Sequence, residues 1–280
     1  MEGLVTEEAR RAAFFDLDKT LIPGSSLFLL ARGLYKRDMF RVRDLLRFGW
    51  GQAVFRLRGE AKRGMDMSRE STLEFVVGRN QDELIAWGNE IAKERILPRV
   101  YEDIVQVINQ HRKNGELTFL VTAAPIELAN TISQALSMTG AVGTVSEVDE
   151  NGNYTGRLVG GVTHGPDKAK AATGIAERHG VELINCSAYS DSINDLPLLE
   201  SVGHPHAVNP DWELRRTALN RGWPIHELRT RRRALLIGIP AGLGGVGLFA
   251  SGMAAGIAAE RRRNASRFPI LRRIKDFVRR

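Results

Sequence analysis

Short apolar runs alternate along the chain with longer stretches in which apolar residues recur at helical spacing. The first run, residues 12–15, consists of two alanines and two phenylalanines and leads directly into Asp16. A second, mostly apolar run, residues 117–121, is followed directly by Thr122. Short apolar runs that end in polar residues are typical of buried strands in a parallel sheet. We therefore expect two buried strands whose polar ends lie at one edge of a sheet.

Periodicity and turn residues predict the other elements. Asn114 and Gly115 indicate a turn, residues 150–153 a hairpin turn, and Gly180 the end of a helix. The pattern predicts helices over residues 100–110, 168–179 and 191–199, hairpin strands over 144–148 and 154–159, and a strand over 183–189. Strands that alternate with helices predict an α/β fold with a Rossmann-like parallel sheet.

The segment between the first two strands has a different character. Leu27, Leu30 and Leu34 recur at helical spacing, and no strand-like alternation is visible there. This pattern predicts a helical cap inserted into the core. The chain then divides into a catalytic core of residues 1–22 and 98–228, a helical cap of residues 23–97, and a tail of residues 229–280 that contains a hydrophobic helical segment.

Composition changes this picture mainly at the carboxyl end. The 280 residues are 43% hydrophobic and 26% charged, which is typical of a globular protein. The net charge of +7 is uneven, because from Arg229 onward thirteen Lys or Arg stand against only Glu260 and Asp276. A single cysteine, Cys186, excludes an internal disulfide framework and suits a reducing compartment. With no amino-terminal signal peptide visible, we expect a cytoplasmic active site.

The tail contains an apolar segment, residues 234–259, without a charged residue. Its 26 residues are enough for a helix that crosses a bilayer, and arginines flank both ends. We expect membrane association through residues 234–280, and basic flanks of this kind favour a membrane surface over nucleic acid. Because the segment is rich in glycine and contains Pro240, a re-entrant pair of short helices and a soluble apolar hairpin stay open as alternatives.

Two acidic pairs stand where strands are predicted to end. Asp16 and Asp18 are spaced i, i+2, so both can reach one pocket, one as a nucleophile and the other as a proton donor to the leaving oxygen. Asp191 and Asp195 are spaced i, i+4 after the third predicted strand. Carboxylate oxygens with a phosphate suit a hard cation, so these acids predict a Mg²⁺ site.

Two further side chains could contact a phosphoryl group. Thr122 offers a hydroxyl at a strand end, and Lys168 offers a positive charge that would offset the clustered acids. Each residue alone has an ordinary structural explanation, since such a threonine often caps a helix and such a lysine is usually solvated. The order and the strand-end placement of the four elements together favour a catalytic site.

The assembly resembles the haloacid dehalogenase superfamily of phosphatases, specifically its subfamily IB, the phosphoserine-phosphatase-like branch with a helical cap. The resemblance spans residues 12–226. It is carried by four motifs: residues 14–21 (FFDLDKTL), 121–125 (VTAAP), 164–168 (HGPDK) and 189–200 (YSDSINDLPLLE).

The resemblance implies a phosphomonoester hydrolase that works through a phospho-aspartyl intermediate with Mg²⁺. It implies these roles: catalysis by Asp16 and Asp18, phosphate binding by Thr122 and Lys168, metal binding by Asp16, Asp18 and Asp191, and support by Asn194 and Asp195. A phosphotransferase with the same intermediate and a non-catalytic membrane-associated scaffold remain alternatives. The oligomeric state is not predicted.

One departure from the branch concerns the substrate. Phosphoserine phosphatases carry a glutamate shortly after the first motif that helps to hold the amino group of the substrate. This chain has Pro23, Gly24, Ser25 and Ser26 there. The expected substrate is therefore a small phosphorylated metabolite or a lipid-like phosphate, without support for phosphoserine itself.

Overall fold

A computed structural model describes residues 11–37 and 76–228. By its internal contacts the chain divides into two units, one of residues 1–41 and 72–232 and the other of residues 42–71 and 233–280. All described residues belong to the first unit. The architecture given below is therefore that of the first unit.

Seven strands of the described residues form one sheet in the order β4-β3-β2-β1-β5-β6-β7. The strands are β1 (Ala12–Phe15), β2 (Leu117–Pro125), β3 (Gly140–Val148), β4 (Tyr154–Val159), β5 (Ser187–Ser190), β6 (His204–Val208) and β7 (Ile225–His226). All neighbours pair in parallel except β3 and β4, which form an antiparallel hairpin. The predicted α/β class with a mostly parallel sheet is confirmed.

Helices connect the strands. The α-helices are α1 (Ser26–Lys36), α2 (Gln81–Ile91), α3 (Glu102–Lys113), α4 (Ile126–Ala135), α5 (Pro166–His179), α6 (Leu196–Ser201) and α7 (Trp212–Arg221). Asn80 caps α2 by accepting hydrogen bonds from two backbone N–H groups of its first turn. Gly180 ends α5 in the left-handed conformation with φ of 63°.

The central strand β1 separates two apolar layers. Successive side chains of a strand point to opposite faces, so Phe14 and Phe15 enter different layers. Phe15 packs with the buried residues of α3 and α4, including Ile108 and Ile132. Phe14 packs with Ile175 of α5 and with buried residues of α6 and α7. Burial on both faces explains why β1 is apolar throughout.

The described part of the predicted cap is helical. Within residues 23–97 it contains α1, α2, the π-helical turn Ala92–Ile96 and the start of the 3-10 turn Leu97–Arg99. Helix α1 approaches α2 closely at Gly33, where an added Cβ would lie 2.7 Å from the side chain of Ile91. Residues 38–75 of the cap lie outside the described residues, so the division into core and cap stays a prediction.

Two local predictions differ from the structure. Residues 183–189 were predicted as a strand, but Leu183–Asn185 form a 3-10 turn and β5 begins only at Ser187. The predicted helix over 191–199 begins only with α6 at residue 196, after the 3-10 turn Ile193–Asp195. Apolar side chains of these segments, such as Leu183 and Leu199, pack into the core, so hydrophobicity alone did not distinguish a strand or a helix from a 3-10 turn.

No helix within residues 11–37 and 76–228 is long and apolar enough to cross a membrane. The segment predicted to do so, residues 234–259, lies outside that part of the chain. The structure therefore gives the predicted crossing no support.

Candidate active site

The predicted acids lie at one edge of the sheet, at the carboxyl ends of adjacent strands. Phe15 pairs with Leu120 of β2 and with Tyr189 of β5. The next residue, Asp16, donates its backbone N–H to the carbonyl of Tyr189 at 3.0 Å. This register brings the end of β1 beside Asp191, which follows β5. Crevices outside the carboxyl ends of parallel strands are the usual ligand sites of open α/β sheets.

Lys168 joins the two acidic motifs. Its Nζ donates to Oδ1 of Asp16 at 2.6 Å and to Oδ2 of Asp195 at 2.7 Å. All three side chains are buried. The same Oδ2 of Asp195 also accepts a hydrogen bond from the hydroxyl of Ser190 at 2.6 Å. Lys168 is thus a fixed internal cation, unlike the solvated lysine that its sequence position alone would suggest.

The electrostatics of the acids follow from burial and from their neighbours. Burial raises the pKa of Asp16 to about 6, against the opposing effect of Lys168. Burial and the charge of Asp16 raise the pKa of Asp191 to about 7. Burial alone would lower the pKa of Lys168, but Asp16 and Asp195 outweigh it and raise this pKa above its ordinary value.

The loop after β1 holds its two acids differently. The backbone N–H of Ser26, at the start of α1, donates to Oδ1 of Asp18 at 2.7 Å. The hydroxyl of Thr20 donates to Oδ2 of Asp16 at 3.3 Å. Lys19, which directly follows Asp18, has φ of 59°, in the left-handed region. The loop therefore directs Asp16 toward Lys168 and Asp18 toward the start of α1.

Asp191 is held mainly through its backbone. Its carbonyl accepts the N–H of Asp211 at 2.8 Å. The carboxylate of Asp211 accepts the N–H of Ile193 at 2.9 Å and caps α7 at Leu214. The carboxylate of Asp191 has one ion-pair partner among the described residues, the exposed Nζ of Lys19 at 3.6 Å. Asp191 therefore keeps oxygen atoms available for a ligand.

Thr122 is buried at the same edge, on β2. Its hydroxyl oxygen accepts the N–H of Ala124 at 3.1 Å, which leaves its own proton available as a donor. This placement is compatible with the predicted contact to a phosphoryl oxygen.

Two of the predicted roles are not tested by the structure. The side chain of Asn194 is exposed, and its backbone N–H donates to the hydroxyl of Ser192 at 3.3 Å. Among residues 11–37 and 76–228, no three His, Cys, Asp or Glu side chains converge as a metal-binding group. Support of the metal by Asn194 and joint metal binding by Asp16, Asp18 and Asp191 therefore stay predictions.

Sequence reasoning also missed residues that build the site. Ser190 and Thr20 bond directly to the carboxylates described above. Asn209 donates its side-chain amide to the carbonyl of Lys19 at 3.2 Å and accepts the N–H of Leu228 at 2.8 Å. Asn209 and Asp211 lie in the sequence Val-Asn-Pro-Asp, outside the four motifs that carry the resemblance. The proline and the small polar residues indicate a loop, but they do not reveal which groups the loop holds.

Comparison with known proteins agrees with this geometry. Residues 13–200 match the haloacid dehalogenase-like hydrolase family. The chain belongs to this family. It is 44% identical over 254 residues to a phosphoserine phosphatase of Mycobacterium tuberculosis, covering 90% of this chain and 81% of that protein. A probable phosphatase of the same organism is 36% identical over 223 residues, covering 80% of this chain and 77% of that protein.

A solved structure gives the same result for the fold. It is the crystal structure of a protein of unknown function from Bordetella pertussis, with a TM-score of 0.68 and 31% identity. The match covers 79% of this chain and 100% of that one. The family and the phosphatases among its relatives make this chain a phosphatase, as the sequence predicted.

Proposed function

We propose that this phosphatase hydrolyses small phosphomonoesters through a phosphorylated Asp16 and with Mg²⁺. The observation that carries the proposal is the buried contact of Lys168 with both Asp16 and Asp195. This contact holds the carboxylate of Asp16, the proposed nucleophile, beside the ammonium group of Lys168 at the carboxyl ends of the parallel strands. Such preorganised charge is how proteins stabilise a transferring phosphoryl group.

In the proposed reaction a carboxylate oxygen of Asp16 attacks phosphorus, and the bond from phosphorus to the ester oxygen breaks. Asp18 gives its proton to that leaving oxygen. Water then attacks the phosphorus atom of phospho-Asp16 and passes a proton to Asp18, which releases phosphate and restores both carboxyl groups. Lys168 and the hydroxyl of Thr122 would hold the phosphoryl oxygens throughout.

The donor chemistry fits Mg²⁺. Four carboxylates (Asp16, Asp18, Asp191 and Asp195) stand at this edge near only two described ammonium groups (Lys19 and Lys168). Mg²⁺ is commonly held by one or two carboxylates together with waters and substrate phosphate, so Asp16 and Asp191 suffice without a third protein ligand. When bound, the ion would supply positive charge that the two lysines do not provide.

The substrate is proposed only as a small phosphomonoester. One relative is named a phosphoserine phosphatase, but Pro23 to Ser26 here lack the acidic residue that the branch uses for the amino group. Transfer of the phosphoryl group to an alcohol would use the same intermediate. A cytoplasmic active site also remains a proposal, supported by the single, buried Cys186.

The test is a comparison of full-length wild type with Asp16→Asn on a small phosphomonoester in Mg²⁺. Asp16→Asn should abolish turnover. It should also abolish the acid-stable phosphorylation of the protein by substrate, because an amide cannot form the acyl phosphate. Asp18→Asn should still become phosphorylated but release phosphate slowly. Asp103→Asn, an exposed aspartate on α3, is the control and should behave as wild type. Normal turnover by Asp16→Asn would overturn the proposal, and appearance of a phosphorylated acceptor alcohol would make the enzyme a transferase.

A further inference from the structure

A cavity of about 100 Å³ lies within the part of the chain that the structure describes. Its walls come from α1 and α2 on one side and from the start of α4 and β4 on the other. Most of the lining is aliphatic, and the residues used below are Leu27, Leu30, Leu34, Leu84, Ile85 and Leu128. An aliphatic cavity favours the apolar part of a ligand.

Chain connectivity links the cavity wall to the segments that hold Asp18 and carry Thr122. Leu27 directly follows Ser26, whose N–H is bonded to Asp18. Pro125, also in the lining, is three residues beyond Thr122, which is roughly 10 Å along an extended strand. The alcohol portion of a phosphomonoester whose phosphate lies between Asp16 and Thr122 would therefore have this cavity within reach.

The cavity contains one acidic side chain, Glu127, in the first turn of α4. Its Oε1 accepts a hydrogen bond from the hydroxyl of Tyr154 at 3.1 Å. Glu127 forms no ion pair with another described residue, and the described part of the cavity wall contains no lysine or arginine. A ligand that displaces water from a carboxylate in apolar surroundings imposes a large cost unless it supplies a cation.

We propose that the leaving alcohol is a small, mostly apolar amino alcohol, whose aliphatic part occupies this cavity and whose ammonium group pairs with Glu127. This assignment rests on the proposed phosphomonoester hydrolysis and specifies its substrate class. The size agrees with a few carbon atoms, since an apolar cavity of about 150 Å³ holds benzene. Glu127 lies in α4, directly after the second motif. It therefore stands at a different place in the chain from the glutamate that phosphoserine phosphatases carry after the first motif.

The assignment separates amino alcohols from amino acids. O-phosphoserine adds a carboxylate to ethanolamine phosphate at the same carbon that carries the ammonium group. In this cavity the added carboxylate would lie near Glu127 with no described cation in the wall. Ethanolamine phosphate should therefore be the better substrate of the two, and a preference for phosphoserine would overturn the assignment.

The direct test uses an isosteric pair, 3-aminopropyl phosphate and n-butyl phosphate, with full-length enzyme in Mg²⁺. Wild type should prefer the aminopropyl ester about ten-fold or more in kcat/KM, the range of a hydrogen bond to a charged group. In Glu127→Gln the preference should fall to near unity, because the amide keeps the shape and can still accept from Tyr154. Equal use of both esters by wild type, or an unchanged preference in Glu127→Gln, would overturn the proposal.

A second variant tests the cavity itself. Gly88 lies on the face of α2 that carries Leu84 and Ile85, and an added Cβ meets nothing within 4 Å. Gly88→Leu should fill the cavity and lower kcat/KM for the aminopropyl ester relative to methyl phosphate at least ten-fold. Gly174→Leu is the matched control, since Gly174 is also helical with open space at its Cβ but does not line the cavity. An unaltered ratio in Gly88→Leu would count against the cavity.

Binding of non-hydrolysable phosphonates separates failure of this inference from failure of the proposed function. Calorimetry should give tighter binding of 3-aminopropylphosphonate than of butylphosphonate to wild type, and a smaller difference in Glu127→Gln. Amine-selective binding without turnover of any ester would retain the cavity assignment and refute the hydrolysis mechanism. Turnover of the esters with no amine selectivity in either assay would refute the assignment alone.

Discussion

The Nζ atom of Lys168 lies 2.6 Å from Oδ1 of Asp16, and both side chains are almost fully buried. Because Nζ also lies 2.7 Å from Oδ2 of Asp195, one cation separates two carboxylates that lie far apart in the sequence. A buried charge pair is costly to desolvate and adds little net stability by itself. The position of the Lys168–Asp16 pair at the sheet edge is therefore better explained by the negative charge of the phosphoryl group that the site has to bind.

Lys168→Met should remove this charge with little change in volume. Asp16 and Asp195 would then face each other without their cation, so the pKa of Asp16 should rise above its present value of about 6. Breaking one side of a buried ion pair costs about 3–5 kcal/mol where the remaining charges stay ionised. We expect turnover near neutral pH to fall at least 100-fold and the melting temperature to decrease, most strongly at high pH.

The control for this variant is Lys170→Met. Lys170 lies two residues further along α5, is exposed, and pairs only with exposed Asp167 among the described residues. It should keep the activity and the melting temperature of wild type, because exposed ion pairs contribute little. Wild-type turnover by Lys168→Met would show that the buried contact has no part in catalysis.

Asp191→Asn should make the Mg²⁺-free protein more stable at high pH. An unfolded aspartate titrates near 3.8, whereas burial and Asp16 raise the pKa of Asp191 to about 7 in the folded chain. Between these values the folded state binds more protons than the unfolded state, so stability falls as pH rises. Replacing Asp191 removes that loss above about pH 7, and its advantage should shrink as pH falls toward 4.

Thermal melts in EDTA at a series of pH values measure this difference. Addition of Mg²⁺ at pH 8 should raise the melting temperature of wild type more than that of Asp191→Asn, since ligand binding to the folded state stabilises it. Parallel pH profiles for the two proteins would show that Asp191 ionises as freely in the folded chain as in the unfolded one.

Much of the site was predictable because it depends on strand order. Apolar runs ending at Asp16, Thr122 and the motif at Asp191 placed three residues at one sheet edge, and parallel pairing of β1 with β2 and β5 brings them together. The hydrophobic pattern also distinguished the helical stretch around α1 from the strands. These features follow from periodicity, which a single sequence contains.

The remaining features depend on local backbone geometry. Hydrophobicity did not reveal that Ser26 would bind Asp18 through its N–H, or that Asn194 would face solvent, because both depend on where a short turn begins. The 3-10 turn Ile193–Asp195 replaces the predicted helical turn, and Asn194 within it is exposed. The strands β6 and β7 were missed because they are short and contain proline or histidine instead of an apolar run.

Asn209 should position the nucleophile loop. It has φ of 44°, bonds the carbonyl of Lys19 through its amide and accepts the N–H of Leu228. Asn209→Gly keeps the positive φ and removes both side-chain bonds, whereas Asn209→Asp keeps the acceptor and removes only the donor to Lys19. If the contact with Lys19 matters, both variants should lower kcat about ten-fold with little change in KM.

A purely structural role would give another result. In that case Asn209→Gly would lower the melting temperature, and Asn209→Asp would retain both stability and kcat. Steady-state kinetics and thermal melts of the two variants therefore separate positioning of the loop from general support of the fold.

Gly33→Ala should destabilise the chain although alanine is the better helix former. An added Cβ at Gly33 in α1 would lie 2.7 Å from Cγ1 and Cγ2 of Ile91, which is fully buried. Overpacking of this kind costs about 1–3 kcal/mol, more than the gain of about 1 kcal/mol from helix propensity. Gly174→Ala in α5 is the control, because its Cβ meets nothing within 4 Å and it should stabilise the chain slightly.

The close approach of α1 and α2 can be tested further with a double-mutant cycle. Ile91→Ala alone leaves a cavity and should cost about 2–5 kcal/mol. In the Ile91→Ala background the added methyl of Gly33→Ala enters open space, so the second change should become neutral or stabilising, and the two free energies should not add. Chemical denaturation of the four proteins measures the coupling. Additive effects would mean that Gly33 and Ile91 are not in contact, and a stabilising Gly33→Ala in wild type would contradict the close packing of the two helices.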